Sequence, residues 1–305
     1  MKLISYRHQG RETWGVVIGD GVAGLAERSG CASLAEFVGS PAFARRDALA
    51  AGLAAEASLR DIVYLPPIPR PEKIICAVRN YLDHHQEVLA AGMHRELSEQ
   101  PPIFLRVWRS QTPHLGPIVK PHVSDSLDWE GELAVIIGEG GRDIAEADAW
   151  RHVAGYSVYN DASVREWQFH AKQIASGKNF EQTGGFGPWM VTADEIAPGR
   201  VLKLQTRLNG RQVQSSDTSH LIFSIPTLIA YASTIFTLAP GDVIATGTPA
   251  GVGWSKKPPE FMQDGDTVEV EIEGIGTLVN PVVAQQPPAR APVRTQAAAE
   301  AVAAR

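Results

Sequence analysis

The sequence predicts an α+β fold that is mainly β, with a small α/β domain in front of a larger domain of short strands and inserted helices. Short apolar runs separated by Gly and Pro recur between residues 73 and 284. Their spacing is too irregular for a repeating βα unit. Glutamates alternate with apolar residues over 268–273, as in a half-exposed strand.

Each element follows from its local pattern. In the first domain, β-like runs are followed by alanine-rich helical segments, near 32–38 and 46–55. In the second domain, a turn at Gly274-Ile275-Gly276 should fold the last two strands into a hairpin. The strands are predicted at 3–6, 14–18, 74–78, 133–138, 155–159, 243–246, 268–272 and 277–283.

Prolines and composition predict the domain boundaries. Prolines at 66, 67, 69 and 71 stiffen a connector, because proline fixes φ and cannot continue a helix. Residues 285–305 hold almost no large apolar side chain, which is typical of a disordered tail. We therefore expect an N-terminal domain over 1–66, a catalytic domain over 67–284 and a tail over 285–305.

The uncharged segment 221–239 is nearly long enough to cross a membrane. Serines and threonines dilute it, however, and Ser224 and Pro226 are typical of the first turn of a helix. We therefore interpret it as a buried helix and expect no membrane partner.

Composition excludes several classes of protein. The chain has 305 residues, of which 44% are hydrophobic, and a net charge of −6, so it should be globular. Its 28 Lys and Arg residues are scattered, which argues against nucleic-acid binding. The two cysteines exclude a disulfide framework, and no secretory signal follows Met1. A cytoplasmic location is expected.

The densest acidic signal is the run from Asp128 to Glu132. In a strand, residues two apart share a face, so Glu130 and Glu132 should project together, about 7 Å apart along the chain. Asp161, at the end of the next apolar run, offers a third carboxylate. Three oxygen ligands suit Mg²⁺ or Mn²⁺ better than zinc. The alternative for the two glutamates is a solvated strand edge.

Two glycine-rich segments were considered as nucleotide sites. The strand 133–137 and the glycines after it resemble the G-x-G-x-x-G motif of a dinucleotide-binding unit, but Asp143 occupies the position of the third glycine. The loop 247–253 lacks the lysine of a P-loop. This loop is either a simple turn or a means of presenting the Gly247 N–H and the Thr246 and Thr248 hydroxyls to an anionic substrate.

Histidine is the best candidate for a general base. His84 or His85 lies in a polar helical turn, and Glu87 is three residues after His84, close enough to orient its imidazole. The alternative is a solvated polar helix. Lys178, near the glycine at 177, is another candidate, although an isolated lysine is usually a surface residue.

Six segments together resemble the fumarylacetoacetate hydrolase family. They run in the same order and span about 70–284, which makes chance similarity implausible. The resemblance implies a mixed β-sandwich roll for the catalytic domain and a homodimer. The segments are 73–87, 128–138, 155–168, 177–192, 240–253 and 268–283.

The resemblance also assigns residue roles. It implies that Glu130, Glu132 and Asp161 bind the metal and that His84 and Glu87 form a dyad that activates water. It also implies that Gln168 and Lys178 contact the substrate and the developing oxyanion, and that Thr248 is a loop threonine near the substrate carboxylate.

The predicted function is hydrolysis of a carbon–carbon bond in an acylpyruvate or other 2,4-dioxo acid, in catabolism of aromatic compounds. The alternatives are an oxaloacetate-type decarboxylase or a hydroxydienoate isomerase or hydratase at the same metal site. A non-catalytic scaffold is a third hypothesis. We also expect Arg106 or Arg109 to pair with a second substrate carboxylate, the alternative being packing and surface charge.

Overall fold

The structure is a computed structural model that describes residues 1–92 and 96–287. Most of the predicted tail, residues 288–305, lies outside the described part of the chain. Short 3₁₀ turns connect many of the elements. The α-helices of the described residues are α1 (Ala26–Ser29), α2 (Leu34–Val38), α3 (Arg46–Ala50), α4 (Leu82–Ala90), α5 (Arg165–Gln168) and α6 (Ile225–Ile235).

Strands make up most of the regular structure. The first ten are β1 (Lys2–His8), β2 (Arg11–Ile18), β3 (Gly21–Gly24), β4 (Ala57–Ser58), β5 (Val63–Tyr64), β6 (Ile74–Ala77), β7 (Ile103–Arg106), β8 (Gln111–Pro113), β9 (Ile118–Lys120) and β10 (Leu127–Asp128). The others are β11 (Gly131–Ile137), β12 (Val153–Asn160), β13 (Ser163–Val164), β14 (Gly184–Thr192), β15 (Lys203–Leu208), β16 (Arg211–Asp217), β17 (Val243–Ala245), β18 (Thr267–Ile272) and β19 (Gly276–Ala284).

Two mixed sheets dominate the architecture and confirm the predicted mainly β fold class. The larger has the order β4-β3-β2-β1-β14-β12-β11-β17-β6-β7, with β5 paired to β1 and β8 to β14. The smaller has the order β16-β15-β18-β19-β9, and β10 and β13 form a separate pair. Strands β17 and β6 pair in parallel, whereas β11 and β12 pair antiparallel.

Strand β11 lies in the centre of the larger sheet and is buried on both faces. Its residues alternate between two cores, because successive side chains of a strand point to opposite faces. Leu133 and Val135 pack in the core that includes the smaller sheet and α6. Ala134 and Ile136 pack in the core that includes α2 and the N-terminal strands. The site described below lies at the start of this strand.

The predicted helix near 221–239 is confirmed as α6, which begins after Ser224 and carries Pro226 in its first turn. The Ser224 side chain accepts a hydrogen bond from the Thr227 N–H, as expected of an N-cap. No helix among the described residues is long and apolar enough to cross a membrane.

The predicted hairpin is confirmed by the antiparallel pairing of β18 with β19, with Ile272 opposite Gly276. In β18 the valines and Ile272 are buried while the residues between them are half-buried, as the alternating pattern requires. The predicted helix over 46–55 is shorter than expected and ends at Ala50, two residues before Gly52 with its positive φ of 70°.

Candidate active site

Two neighbouring strands bring three carboxylates together. Glu130 precedes β11, Glu132 lies inside it, and Asp161 follows β12 directly. The strands run antiparallel, with Glu132 opposite Tyr159, so the start of one meets the end of the other. The Asp161 N–H donates to the Glu130 carbonyl at 2.8 Å. As a result, one carboxylate oxygen from each of the three residues lies within 4.8 Å of the other two.

Gly131, between the two glutamates, permits this packing. A Cβ at this position would lie 2.3 Å from Thr206 Oγ1 and 2.9 Å from the Val270 side chain, on strands β15 and β18. The smaller sheet can therefore approach the start of β11 only because residue 131 has no side chain. The Gly131 N–H also donates to Gln214 Oε1 at 3.0 Å.

Three buried cations surround the carboxylates. Lys178 Nζ lies 2.7 Å from Glu130 Oε2 and 2.6 Å from Asp161 Oδ2. Arg165 Nη1 lies 2.6 Å from Glu130 Oε1. On the other side, Arg106 Nη1 donates to Asp161 Oδ1 at 2.5 Å. Buried charges need such partners, since water is not there to solvate them.

The two glutamates have opposite pKa shifts. Burial alone would raise the pKa of Glu130, but Lys178 and Arg165 outweigh burial and lower it to about 2. Burial raises the pKa of Glu132 well above its usual value, and repulsion from Asp161 and Glu130 adds to the increase. Glu132 therefore favours its protonated form, because the surrounding protein compensates a negative charge there poorly.

The donor set fits a hard divalent cation. Counting Asp128 with the three clustered carboxylates, four buried acids face three buried cations, Arg106, Arg165 and Lys178. With all four acids ionised, one negative charge is left uncompensated, which a bound divalent cation would balance. Carboxylate oxygens are the ligands that Mg²⁺ and Mn²⁺ prefer. Glu130, Glu132 and Asp161 are thus the residues that could hold such an ion.

Helix α4 supplies a histidine–carboxylate pair. His84 Nδ1 lies 2.9 Å from Glu87 Oε2, which leaves the imidazole Nε2 available to the cavity that His84 lines. The other carboxylate oxygen, Oε1, accepts hydrogen bonds from the Gly251 N–H and the Ser255 hydroxyl. Burial would raise the pKa of Glu87, but these hydrogen bonds, with His84 first, lower it.

The structure distinguishes between the two adjacent histidines. His85 is not among the residues that line the cavity shared by His84 and the three carboxylates; it lines a separate small recess with Leu97 and Ile222. Burial lowers the pKa of His85, and the charges of Arg79 and His84 lower it further. Only His84 is in contact with Glu87, so the geometry favours His84 as the base.

The carboxylates and His84 line one cavity of about 330 Å³. This volume is typical of a small-molecule site. Much of its wall is apolar, and Lys172 adds a cation at an exposed position. The apolar lining residues are Ala77, Val78, Val88, Phe104, Phe169, Ala171, Ile174, Val252 and Trp254.

Three further predicted residues lie at or beside this cavity. Gln168 lines it and accepts from Arg165 Nη1 through Oε1, at 2.8 Å, so its amide nitrogen remains for a substrate. Thr248 also lines it, but its hydroxyl donates to the Gly131 carbonyl at 3.0 Å. The Gly247 N–H donates to Glu132 Oε2 at 2.8 Å and so orients one of the carboxylates.

Gly247 must be a glycine for two reasons. Its φ is 99°, a conformation that strains other residues, and a Cβ would lie 2.8 Å from the Cβ of Asn80. The Lys178 ammonium contacts Glu130 and Asp161. Its contact with an oxyanion stays a prediction.

Neither arginine predicted to bind a second substrate carboxylate is placed to do so. Arg106 is buried, and its guanidinium is occupied by Asp161, Ser110 and Thr183. Arg109 is outside the cavity, with an exposed side chain that pairs with Glu181 at 3.0 Å. The apolar strand β7 ends at Arg106, which turns this side chain inward behind Asp161.

Arg165 is a site residue that was not predicted from the sequence, and no role was predicted for Asp128. Arg165 forms ion pairs with both Asp128 and Glu130, at 2.8 and 2.6 Å. Two adjacent carboxylates imply a nearby cation, but this signal cannot identify which of the 28 Lys and Arg residues supplies it.

The sequence matches a family model described as fumarylacetoacetate (FAA) hydrolase C-terminal over residues 73–283. Among curated relatives, the human mitochondrial oxaloacetate tautomerase FAHD2A is 41% identical over 225 residues, which cover 73% of this chain and 70% of the relative. The oxaloacetate tautomerase YisK of Bacillus subtilis is 43% identical over 228 residues, covering 74% of both chains.

A solved structure of similar fold contains a metal ion. The maleylpyruvate hydrolase of Sphingobium sp. SYK-6, in complex with manganese(II) and pyruvate, superposes with a TM-score of 0.77 at 29% sequence identity. The match covers 94% of this chain and all of that chain.

Proposed function

This chain belongs to the fumarylacetoacetate hydrolase family, and from that premise we propose that it is a divalent-metal-dependent enzyme acting on 2-oxo acids. Members of this family are enzymes, with hydrolases, isomerases and tautomerases among them. The observation that carries the proposal is that one cavity is lined both by His84, a candidate base, and by a cluster of three carboxylates. A scaffold protein would not need this arrangement.

The favoured reaction is keto–enol tautomerisation of an oxaloacetate-type acid. Two relatives above 40% identity carry the name oxaloacetate tautomerase. A divalent ion held by Glu130, Glu132 and Asp161 supplies positive charge that makes the carbon beside a 2-oxo group more acidic. Hydrolysis, the function predicted from the sequence, thus becomes the second candidate, and isomerisation, an alternative in that prediction, becomes the first.

The residues of this chain then move the proton. In the keto-to-enol direction His84 Nε2 takes a proton from the carbon beside the 2-oxo group and delivers it to the 2-oxo oxygen, and in the reverse direction it moves the proton from the enol hydroxyl to that carbon. Glu87 stabilises the imidazolium that forms between the two transfers. Gln168 donates its free amide hydrogen to a substrate oxygen. Lys178 and Arg165 keep Glu130 ionised, and the apolar wall excludes bulk water from the reacting carbon.

Hydrolysis of an acylpyruvate is the second candidate. The cavity has about 330 Å³, which leaves room for a substrate longer than a four-carbon acid, and a maleylpyruvate hydrolase has the same fold. In this reaction His84 would take a proton from water, and the resulting hydroxide would attack the distal carbonyl. The carbon–carbon bond would then break, releasing a carboxylic acid and a pyruvate enolate, which would take up the proton from His84 at carbon. Decarboxylation, a role in aromatic catabolism, the homodimer and the cytoplasmic location remain further predictions.

Kinetics with both kinds of substrate test the proposal. Protein stripped with a chelator should regain activity with Mg²⁺ or Mn²⁺. We expect kcat/KM for the enol-to-keto conversion of oxaloacetate, corrected for the spontaneous reaction, to exceed that for cleavage of acetylpyruvate. Absence of turnover on a panel of 2-oxo and 2,4-dioxo acids with either metal would refute the enzymatic proposal.

Substitutions in α4 provide matched controls. Glu87→Gln keeps size but removes the charge that supports an imidazolium, so kcat should fall by about 10²-fold or more. His84→Ala should be at least as damaging. His85→Ala, at the adjacent residue outside the cavity, should have a much smaller effect; equal losses in the two histidine variants would contradict the assignment of the base.

A further inference from the structure

The loop that follows β17 holds the carboxylate of the proposed dyad. Glu87 Oε1 accepts from the Gly251 N–H at 2.9 Å and lies 2.6 Å from Ser255 Oγ. Ser255 Oγ also lies 2.9 Å from the Val252 carbonyl, but a hydroxyl has one hydrogen and the shorter contact is to the charged acceptor. One Glu87 oxygen is thus hydrogen-bonded to His84, and the other is hydrogen-bonded to this loop.

The loop itself is held by hydrogen bonds to residues 128 and 129, which immediately precede Glu130 and β11. Asp128 accepts hydrogen bonds from the Gly253 N–H at 2.7 Å and from the Trp254 N–H at 2.9 Å. The indole N–H of Trp129 donates to the Gly251 carbonyl at 3.0 Å. The backbone immediately before Ser255 is therefore anchored on buried groups.

Gly251 permits the close approach of this loop. Its φ is 102°, and a Cβ there would lie 2.2 Å from the Val213 carbonyl oxygen of β16. The loop can therefore bring the Gly251 N–H and the Ser255 hydroxyl to the same carboxylate oxygen.

We propose that Ser255 is a positioning residue that fixes the orientation of the Glu87 carboxylate toward His84. The inference rests on the proposed function, since it assigns to Ser255 a part in the proton transfer by His84. A carboxylate on a helix side chain can rotate about χ3, and one oxygen must point at Nδ1 for the pair to act. The Ser255 hydroxyl holds the second oxygen and so restrains that rotation.

This role differs from that of a residue that touches substrate. Ser255 is half-buried, and among the described residues it is not one of those that line the cavity of His84 and the three carboxylates. Loss of its hydroxyl should therefore affect the rate of the chemical step and leave substrate binding unchanged.

The first experiment compares Ser255→Ala with the full-length wild type, saturated with Mg²⁺ or Mn²⁺, on the best acid of the panel. We expect kcat to fall about 10-fold, which is less than the loss expected when the general base itself is removed. KM should stay within about two-fold of the wild-type value. Ser255→Thr, which keeps the hydroxyl, should restore most of kcat. An unchanged melting temperature in Ser255→Ala will show that the fold persists.

Ser216→Ala is the matched control. Its hydroxyl lies 3.2 Å from Asp83 Oδ2 on the same helix, but it does not contact Glu87. If Ser216→Ala lowers kcat as much as Ser255→Ala, the hydroxyls merely hold the helix and the proposal is wrong. A double-mutant cycle adds a second criterion: in a Glu87→Gln background Ser255→Ala should have little further effect, and an additive loss would overturn the proposal.

A spectroscopic measurement separates this inference from the proposed function. The wild type should show a downfield proton resonance from the His84 Nδ1–H that donates to Glu87, absent in His84→Ala. This resonance should weaken or disappear in Ser255→Ala and persist in Ser216→Ala. If the wild type turns over none of the acids, the proposed function is wrong, and the resonance alone then tests whether Ser255 positions Glu87. Absence of the resonance from the wild type, or its persistence in Ser255→Ala, refutes the inference about Ser255.

Discussion

Glu132 is the carboxylate of the cluster whose charge the protein's own cations compensate least. Glu130 is paired with Lys178 and Arg165, whereas the hydrogen bond that Glu132 receives comes from the neutral N–H of Gly247. Burying a poorly compensated charge is unfavourable. Without a cation Glu132 therefore favours its neutral form, and a bound divalent ion would stabilise its charged form.

Replacing Glu132 with Gln tests this account of the metal site. Binding of Mg²⁺ or Mn²⁺ should raise the melting temperature of the wild type, because the ion binds the folded state preferentially. Glu132→Gln should lose most of that rise, and titration calorimetry should show that its affinity for the metal ion is weaker by about 10-fold or more. Without metal the variant should be no less stable than the wild type, since the amide oxygen can still accept from Gly247.

The control for this variant is Glu269→Gln, at a half-buried glutamate of β18. Successive side chains of a strand point to opposite faces, so Glu269 points away from Gly131, beside which its neighbour Val270 packs. It should keep the wild-type metal response. A wild-type affinity in Glu132→Gln would show that the three carboxylates are not the metal ligands.

His114 predicts an acid-sensitive step in stability. Its Nδ1 accepts a hydrogen bond from the Val279 N–H at 3.1 Å, and burial lowers its pKa to about 4. Between about pH 4 and 6.5 the unfolded chain therefore binds a proton that the folded protein does not, so stability falls as the pH decreases through this window. The loss should amount to about 1–3 kcal/mol.

Urea unfolding at pH 7 and pH 4.5 measures this loss. His114→Asn removes the titrating group, so the decrease in the free energy of unfolding should be smaller in this variant than in the wild type. His170→Asn, at an exposed histidine, should keep the wild-type decrease. Equal acid sensitivity of His114→Asn and the wild type would assign the effect to other groups.

At the scale of elements, strands with a clear apolar pattern could be predicted from sequence. The apolar runs of β11 and β12, and the alternation in β18, indicated strands that the structure contains. The pair of glutamates on one strand face followed from the same periodicity. Local pattern is sufficient in these cases because burial on each face determines the residue type.

Other elements could not be predicted because tertiary contacts determine them. Strand β14 contains Gly184, Gly185, Gly187 and Pro188, residues that normally indicate a loop. Its glycines are required by close neighbours: a Cβ on Gly185 would lie 2.6 Å from Asn280 Oδ1. The pairing of Arg165 with Asp128, like that of Arg106 with Asp161, joins distant segments and leaves no periodic signal.

The loop anchored by Asp128 should contribute measurably to stability. The Asp128 carboxylate is buried and pairs with Arg165 through two nitrogens, each at 2.8 Å, besides accepting two loop N–H groups. Asp128→Ala leaves a buried guanidinium without one of its partners, which should cost about 3–5 kcal/mol. Glu12→Ala, which breaks an exposed pair with Arg7, should cost about 0.2–1 kcal/mol.

Urea unfolding measures the free energy of unfolding of both variants, in the presence of a chelator that removes any contribution from bound metal. Asp128→Ala should also lower kcat, since the loop carries Ser255. Equal costs for the exposed pair and the buried pair would contradict the role of Asp128 as the loop anchor.

At the scale of the whole molecule, the N-terminal segment and the catalytic segment share a sheet. Strand β1 pairs with β14, and Leu3 lies opposite Met190. The core that contains Leu3 and Trp14 also contains Ile136 and Ala245 from the centre of the sheet. The boundary between residues 66 and 67 stays a prediction, and the shared core favours unfolding of both segments as one cooperative unit.

Calorimetry of the full-length chain can decide this point. Leu3→Ala removes a fully buried side chain at the junction, which should cost about 2–5 kcal/mol and lower Tm by about 5–15 °C. If the two segments unfold together, the variant keeps a single transition that shifts as a whole. Val63→Ala, at an exposed position of β5, should barely change Tm. If instead Leu3→Ala produces a separate early transition and leaves the main one at the wild-type temperature, residues 1–66 form an independent domain.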